Sequence, residues 1–139
     1  MIQIIAGEKG KGKTKILIDK ANAEVKTAKG NIVYLDKSNK HMYELSNKIR
    51  LINVREYGIE NSSEFIGFIC GIASQDHDLE KVYLDSFLKI ACTDEDCVRR
   101  VLNKLEKISE MFHVDFIISI SLSDKSLSED MRERVIVAL

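Results

Sequence analysis

An apolar run, Ile2 to Ala6, stops at Gly7, and the segment Gly7-Glu8-Lys9-Gly10-Lys11-Gly12-Lys13-Thr14 separates it from residues whose Leu17, Ala21, Val25 and Ala28 recur at helical spacing. A short run apolar at nearly every position reads as a strand buried on both faces of a parallel sheet. The following spacing places its apolar side chains on one helix face, and Lys29-Gly30 supplies a cationic last turn and a stop. Ile32-Val33-Tyr34-Leu35 then forms a second apolar run that ends in Asp36. Strand, glycine-rich loop, helix and strand make a βαβ unit, whose default is parallel pairing with a right-handed crossover.

The remainder continues the alternation. Ser38 is placed to cap a helix carrying Met42, Leu45 and Ile49, and Leu51-Ile52-Asn53-Val54 reads as a short third strand. Asn61 or Ser62 caps a helix with Phe65, Phe68, Ile69 and Ile72 on one face, until Gln75 to Asp78 breaks the pattern. Val82-Tyr83-Leu84-Asp85 is the next strand. Thr93 with Asp96 three residues on resembles a capping box, opening the longest apolar stripe, from Val98 through Leu105 to Phe112. Val114 to Ser121 is another strand, and Ser128 caps a last short helix before Val135-Ile136-Val137, which reads equally as strand or helix. With no proline, repeat or low-complexity segment, residues 1–139 read as one domain. The expected fold is a three-layer α/β/α sandwich on a mostly parallel sheet of about five or six strands. Ligands of such sheets bind beyond the carboxyl ends of the strands, so Gly7, Asp36, Arg55, Asp85 and Ser121 should share one rim.

Composition excludes several classes. Twenty-one basic residues against twenty-two acidic ones leave a net charge of -1, so no global field indicates nucleic acid or anionic membrane as partner. No stretch approaches the ~20 apolar residues of a membrane span, and the apolar N-terminus is too short for a signal peptide; a cytoplasmic protein is expected. Cys70, Cys92 and Cys97 match no zinc or redox spacing and read as reduced thiols, Cys70 as core filling. His41, His77 and His113 have no partners at metal-ligand spacing.

The loop carries the chemistry. Gly7, Gly12, Lys13 and Thr14 satisfy Gly-x4-Gly-Lys-Ser/Thr, with Gly10 a further permissive point. Glycines allow backbone conformations that turn successive N–H groups inward around phosphate oxygens. The positive end of the following helix faces the same anion. In that reading Lys13 reaches the β- and γ-phosphates, the Thr14 hydroxyl coordinates magnesium, and Glu8, Lys9 and Lys11 complete the loop, the lysines adding positive charge.

On these residues the chain resembles the P-loop NTPases, the loop being their Walker A motif. Lys81-Val82-Tyr83-Leu84-Asp85-Ser86 resembles their Walker B strand, which implies Asp85 as the carboxylate on the Mg²⁺ side. Neither Asn/Thr-Lys-x-Asp nor Asp-x-x-Gly after Asp85 is present, so ATP rather than GTP is expected. The layout resembles the RecA-like branch, with Val114 to Ser121 inserted between the P-loop strand and the Walker B strand. That likeness implies a γ-phosphate contact in Ser119-Ile120-Ser121-Leu122-Ser123, with Ser121 preferred; the alternative is that these hydroxyls satisfy backbone groups at a strand end. Where the branch places a catalytic glutamate, this chain has Ser86 and Asp36-Lys37. Asp36 and Glu56 are the carboxylates nearest in sequence to that role. Hydrolysis is therefore expected to be weak or dependent on a protein partner or a second copy, which can supply an arginine in trans. Arg99, Arg100, Arg132 and Arg134 are available but read as solvated faces, and Tyr34 and Tyr83 read as core. Two alternatives stand beside an Mg²⁺-dependent ATPase. One is a small-molecule kinase, because Val82 to Cys92 faintly resembles the cobinamide kinase family. The other is a non-hydrolysing ATP sensor.

Overall fold

A computed structural model describes residues 1–139. Six strands, β1 (Ile2–Ala6), β2 (Asn31–Asp36), β3 (Ile49–Asn53), β4 (Leu79–Leu84), β5 (Asp115–Ile120) and β6 (Val135–Ala138), form one sheet in the order β3-β2-β4-β5-β1-β6. Every pairing is parallel. All carboxyl ends consequently lie on one rim, and β5 separates β1 from β4 as the RecA-like resemblance implied. The C-terminal run, open between strand and helix in the sequence, pairs with β1 as an edge strand.

The pleat sorts side chains onto two unequal faces. On one face Ile4, Leu35, Leu84, Phe116 and Ile118 join a core of 27 buried residues with α2 (Ser62–Ser74), α3 (Phe87–Ile90) and α4 (Val98–Phe112). On the other, Ile5, Tyr34, Tyr83 and Ile117 join a core of 10 buried residues beneath α1 (Lys13–Glu24). The result is the expected three-layer α/β/α sandwich, a P-loop-type fold with most of its apolar mass away from α1.

Several expected elements differ. The helix over Met42, Leu45 and Ile49 is absent: residues 37–48 run as bends and turns. Leu45 alone packs under α1 while Met42 is exposed, and Ile49 is drawn into β3 opposite Ile32. The Asn22 side chain on α1 fixes this segment, accepting from Ser46 N–H and donating to the Glu44 carbonyl, both at 2.8 Å. Local bonds of this kind replace helical ones. Helix α1 stops at Glu24, short of Ala28, because tight turns follow and the Glu80 carboxylate accepts from Lys29 and Gly30 N–H at 3.1 and 2.8 Å, leading the chain into β2.

Asn61 is the cap of α2, its Oδ1 accepting from Glu64 N–H at 2.8 Å. The Thr93/Asp96 box does not form. Asp94 instead accepts from Cys97 N–H at 2.9 Å, and α4 begins at Val98. Ser128 does precede a short helix, α5 (Glu129–Arg132), but its hydroxyl donates to Asp130 rather than capping backbone. Cys70 packs half-buried against the larger core, whereas Cys92 and Cys97 are exposed. No helix is long and apolar enough to cross a membrane.

Candidate functional site

β1 delivers the chain to the carboxyl rim, and the glycine-rich loop turns it into α1. Gly10 and Gly12 have φ of 86° and 90°, the left-handed region that side chains disfavour, and Gly12 immediately precedes the first turn of α1. Gly7 needs no such conformation. Its place is set by the sheet, where its N–H donates to the Ile120 carbonyl at 3.3 Å. Lys13 lies across the loop, its Nζ donating to the Glu8 carbonyl at 3.0 Å. Burial pushes the Lys13 ammonium below its ordinary pKa, opposed by the charge of Asp85.

Asp85 is the hub. It is 2% exposed, and both its oxygens are occupied. Oδ1 accepts from Ser119 Oγ at 2.7 Å, Ser86 N–H at 2.9 Å and Thr14 Oγ1 at 3.2 Å. Oδ2 accepts from Tyr34 Oη at 2.8 Å. Alternation along β2, β4 and β5 explains the convergence: Tyr34, Asp85 and Ser119 share the pleat parity of Tyr83 and Ile117, the face on which α1 carries Thr14. Ser86 adopts φ 53°, a strained value for a residue with Cβ. Its N–H is held there by Asp85 and, at 2.9 Å, by Ser119 Oγ. This turn opens α3, which has no apolar period long enough to show in the sequence.

Over these groups lies a cavity of about 350 Å³, bordered by Lys9, Gly10, Gly12, Lys13 and Thr14 on the loop side. Asp85, Ser86, Ser119 and Ser121 form its floor and Lys37, Leu88 and Lys89 the opposite wall. Glu8 and Lys11 are exposed loop residues outside this lining. A larger cavity, about 570 Å³, lies at the amino ends of β2 and β3, bordered by Asn31, Lys48 and Asp76, with no glycine loop beside it.

The other sequence candidates distribute as follows. Ser121 borders the cavity and is exposed, whereas the buried hydroxyl on Asp85 belongs to Ser119. Asp36 is 2% exposed at the end of β2; Oδ1 accepts from Lys37 N–H at 2.7 Å and Oδ2 has no partner. Burial, then the neighbouring Asp85 charge, raises its pKa. Glu56 lies outside the cavity lining, exposed in the turn after β3 and held by Asn39 at 3.2 Å and Asn53 at 3.5 Å. Arg99 pairs with Asp130 at 3.1 Å, and Arg132 donates to the Leu127 carbonyl at 3.1 Å. Tyr34 is core as expected, stacked on Tyr83 with ring centroids 6.3 Å apart, but its hydroxyl also serves Asp85. Burial and then the Asp85 charge raise the pKa of that hydroxyl, keeping it a donor.

No family model matches the chain, and no curated protein matches its sequence. Among solved structures, the crystal structure of the flagellar accessory protein FlaH from Methanocaldococcus jannaschii is similar, with a TM-score of 0.60 and 13% identity. The match covers 94% of this chain and 64% of that one, so the chain spans a little under two thirds of the FlaH chain. At that identity the likeness is one of fold.

Proposed function

We propose that residues 1–139 form a single nucleotide-binding domain that holds ATP with Mg²⁺ at the Gly7–Thr14 loop. The observation that carries this reading is the Thr14–Asp85 contact at 3.2 Å, made from opposite sides of β5 at the mouth of the loop. A hydroxyl and a carboxylate side by side are hard oxygen donors of the kind magnesium takes, and it leaves its remaining positions to phosphate and water. Thr14 and Asp85 would hold the ion, which when bound would neutralise phosphate charge. Backbone N–H groups at the start of α1 and the Lys13 ammonium would meet the phosphate chain.

Binding is better supported than turnover. Asp36 is buried and favours its protonated form more than an ordinary carboxyl does, while Glu56 is tied to asparagines outside the cavity. Asp85 is the cavity's only carboxylate, and its oxygens are engaged. A water molecule has no free base here, so hydrolysis is slow unless a protein partner or second copy adds a group. The same observation favours a second reading, in which bound ATP sets a conformation that a partner reads.

Calorimetric titration with ATP and Mg²⁺, beside phosphate release, tests both. Binding that disappears in Lys13→Ala supports the nucleotide site, and unchanged affinity in that variant overturns it. Turnover by the isolated chain at ordinary ATPase rates, above about 1 s⁻¹, would remove the sensor reading.

A further inference from the structure

Four lysines, Lys9, Lys13, Lys37 and Lys89, border the cavity, and none of them makes an ion pair. Lys13 rests on the Glu8 carbonyl. The cavity's single carboxylate, Asp85, is engaged by hydrogen bonds on the floor and pairs with none of these lysines. Lys37 follows β2 and Lys89 is the third residue of α3, which follows β4; β2 and β4 are neighbours in the sheet. Both residues consequently border the same cavity on the β4–β2 side. Contact with Lys37, then the charges of Lys37, Lys9 and Arg55, lower the Lys89 pKa. Like charges gathered without a counter-ion are relieved by a bound anion.

Position says which anion. Along the rim, in the order β1, β5, β4, β2, stand the glycine loop, Ser119, Asp85 and Lys37. A phosphate chain that starts in the loop and crosses the Thr14–Asp85 contact has its free end against the far wall. We propose that Lys37 and Lys89 form a clamp on the terminal phosphate of a bound nucleoside triphosphate, so that the site distinguishes triphosphate from diphosphate with groups of this chain alone. The inference rests on the nucleotide reading above and deepens it. It also gives Lys37 a role at the place where the RecA-like branch carries a catalytic glutamate: a cation there grips the terminal phosphate and cannot activate water.

The test is to measure dissociation constants for ATP and for ADP, both with Mg²⁺ at fixed ionic strength, in the wild type, Lys37→Ala, Lys89→Ala and the double variant. Lys107→Ala, an exposed lysine of α4, controls for net charge. The double variant should lose roughly tenfold or more in ATP affinity, the worth of one or two charge-assisted hydrogen bonds. ADP affinity should stay within about twofold, since ADP lacks the clamped group. Equal losses for both nucleotides, or no loss for either, overturn the clamp while leaving the nucleotide site standing. Inorganic phosphate titrated onto the ADP complex separates a second source of the anion: loss of that binding with an unchanged ATP-to-ADP ratio assigns the lysines to a separate anion and overturns the proposal. Absence of wild-type binding to both nucleotides overturns clamp and nucleotide reading together.

Discussion

Asp85 accepts hydrogen bonds from three side chains, Thr14, Ser119 and Tyr34, and from the Ser86 backbone, and each donor arrives from a different element. Removing one leaves a buried acceptor short. Tyr34→Phe strips Oδ2 of its only donor, and a buried carboxylate so exposed to apolar surroundings costs about 1–3 kcal/mol; urea unfolding should show a loss in that range with an unchanged slope. Asp36 works in the opposite sense. Its pKa is raised in the folded chain, so its contribution is fully present below the ordinary carboxylate pKa and is lost as pH rises through the folded value. Asp36→Asn should therefore be more stable than wild type at neutral pH, a gain that shrinks toward pH 4. Thermal melts of both proteins across that range check the sign, and a gain that grew on acidification would refute it. Sequence spacing revealed Gly7, Gly12, Lys13 and Thr14 as a set because they occupy fixed offsets, while Asp85 was read from the apolar strand that it ends. Tyr34 was hidden, and Ser119 was passed over for Ser121, for a physical reason: their roles depend on which pleat face they share with α1, which the register of β2, β4 and β5 decides. Counting by twos back from the strand end would have separated the face of Ser119 and Ser121 from that of Ile120, and burial alone then divides the two serines.

At the scale of elements, α2 carries a removable weakness. Gly67 and Gly71 lie on its exposed side, and a Cβ built at either meets nothing within 4 Å. Glycine inside a helix costs about 0.5–1 kcal/mol relative to alanine, chiefly through backbone entropy. The double variant Gly67→Ala/Gly71→Ala should be about 1–2 kcal/mol more stable by urea titration, with nucleotide affinity unchanged because α2 contributes nothing to the cavity lining. Long periodic helices and mostly apolar strands were legible in the sequence, as α2, α4, β1 and β5 demonstrate. The segment 37–48 was not. Met42, Leu45 and Ile49 match a helical period, yet Asn22 on a different element satisfies the backbone there and β2 claims Ile49. Tertiary partners outweighed a weak local preference. Helix α3 escaped because four residues cannot show a period.

For the whole molecule, the two faces divide labour. Twenty-seven buried residues on one side of the sheet carry most of the apolar stabilisation, while the α1 side has 10 and holds Asp36, Asp85 and Ser119 at its rim. Parallel order and the shared rim followed from the alternation of strand and helix, and the strand between β1 and β4 from the RecA-like resemblance; the inequality of the two faces did not, because it depends on α2, α3 and α4 all packing on the side away from α1. The face that carries the proposed site is thus the one with the smaller apolar core, and a ligand bound there should stabilise the chain measurably. A ligand that binds only the folded chain stabilises it by about 2.7 kcal/mol at a concentration one hundred times its dissociation constant. For a chain of this size that is a rise in melting temperature on the order of 10 °C. ATP with Mg²⁺ should produce it in the wild type, and chelating the metal should reduce it, since Thr14 and Asp85 would lose the ion joining them to phosphate. Lys13→Ala should melt near the unliganded wild type with or without ATP. Because Lys37 and Lys89 stand on the far wall, their double variant should keep the shift given by ADP and lose part of that given by ATP. A melting temperature raised equally by both nucleotides in the wild type and in the Lys37/Lys89 double variant, but not in Lys13→Ala, would place the anion-binding energy entirely in the glycine loop.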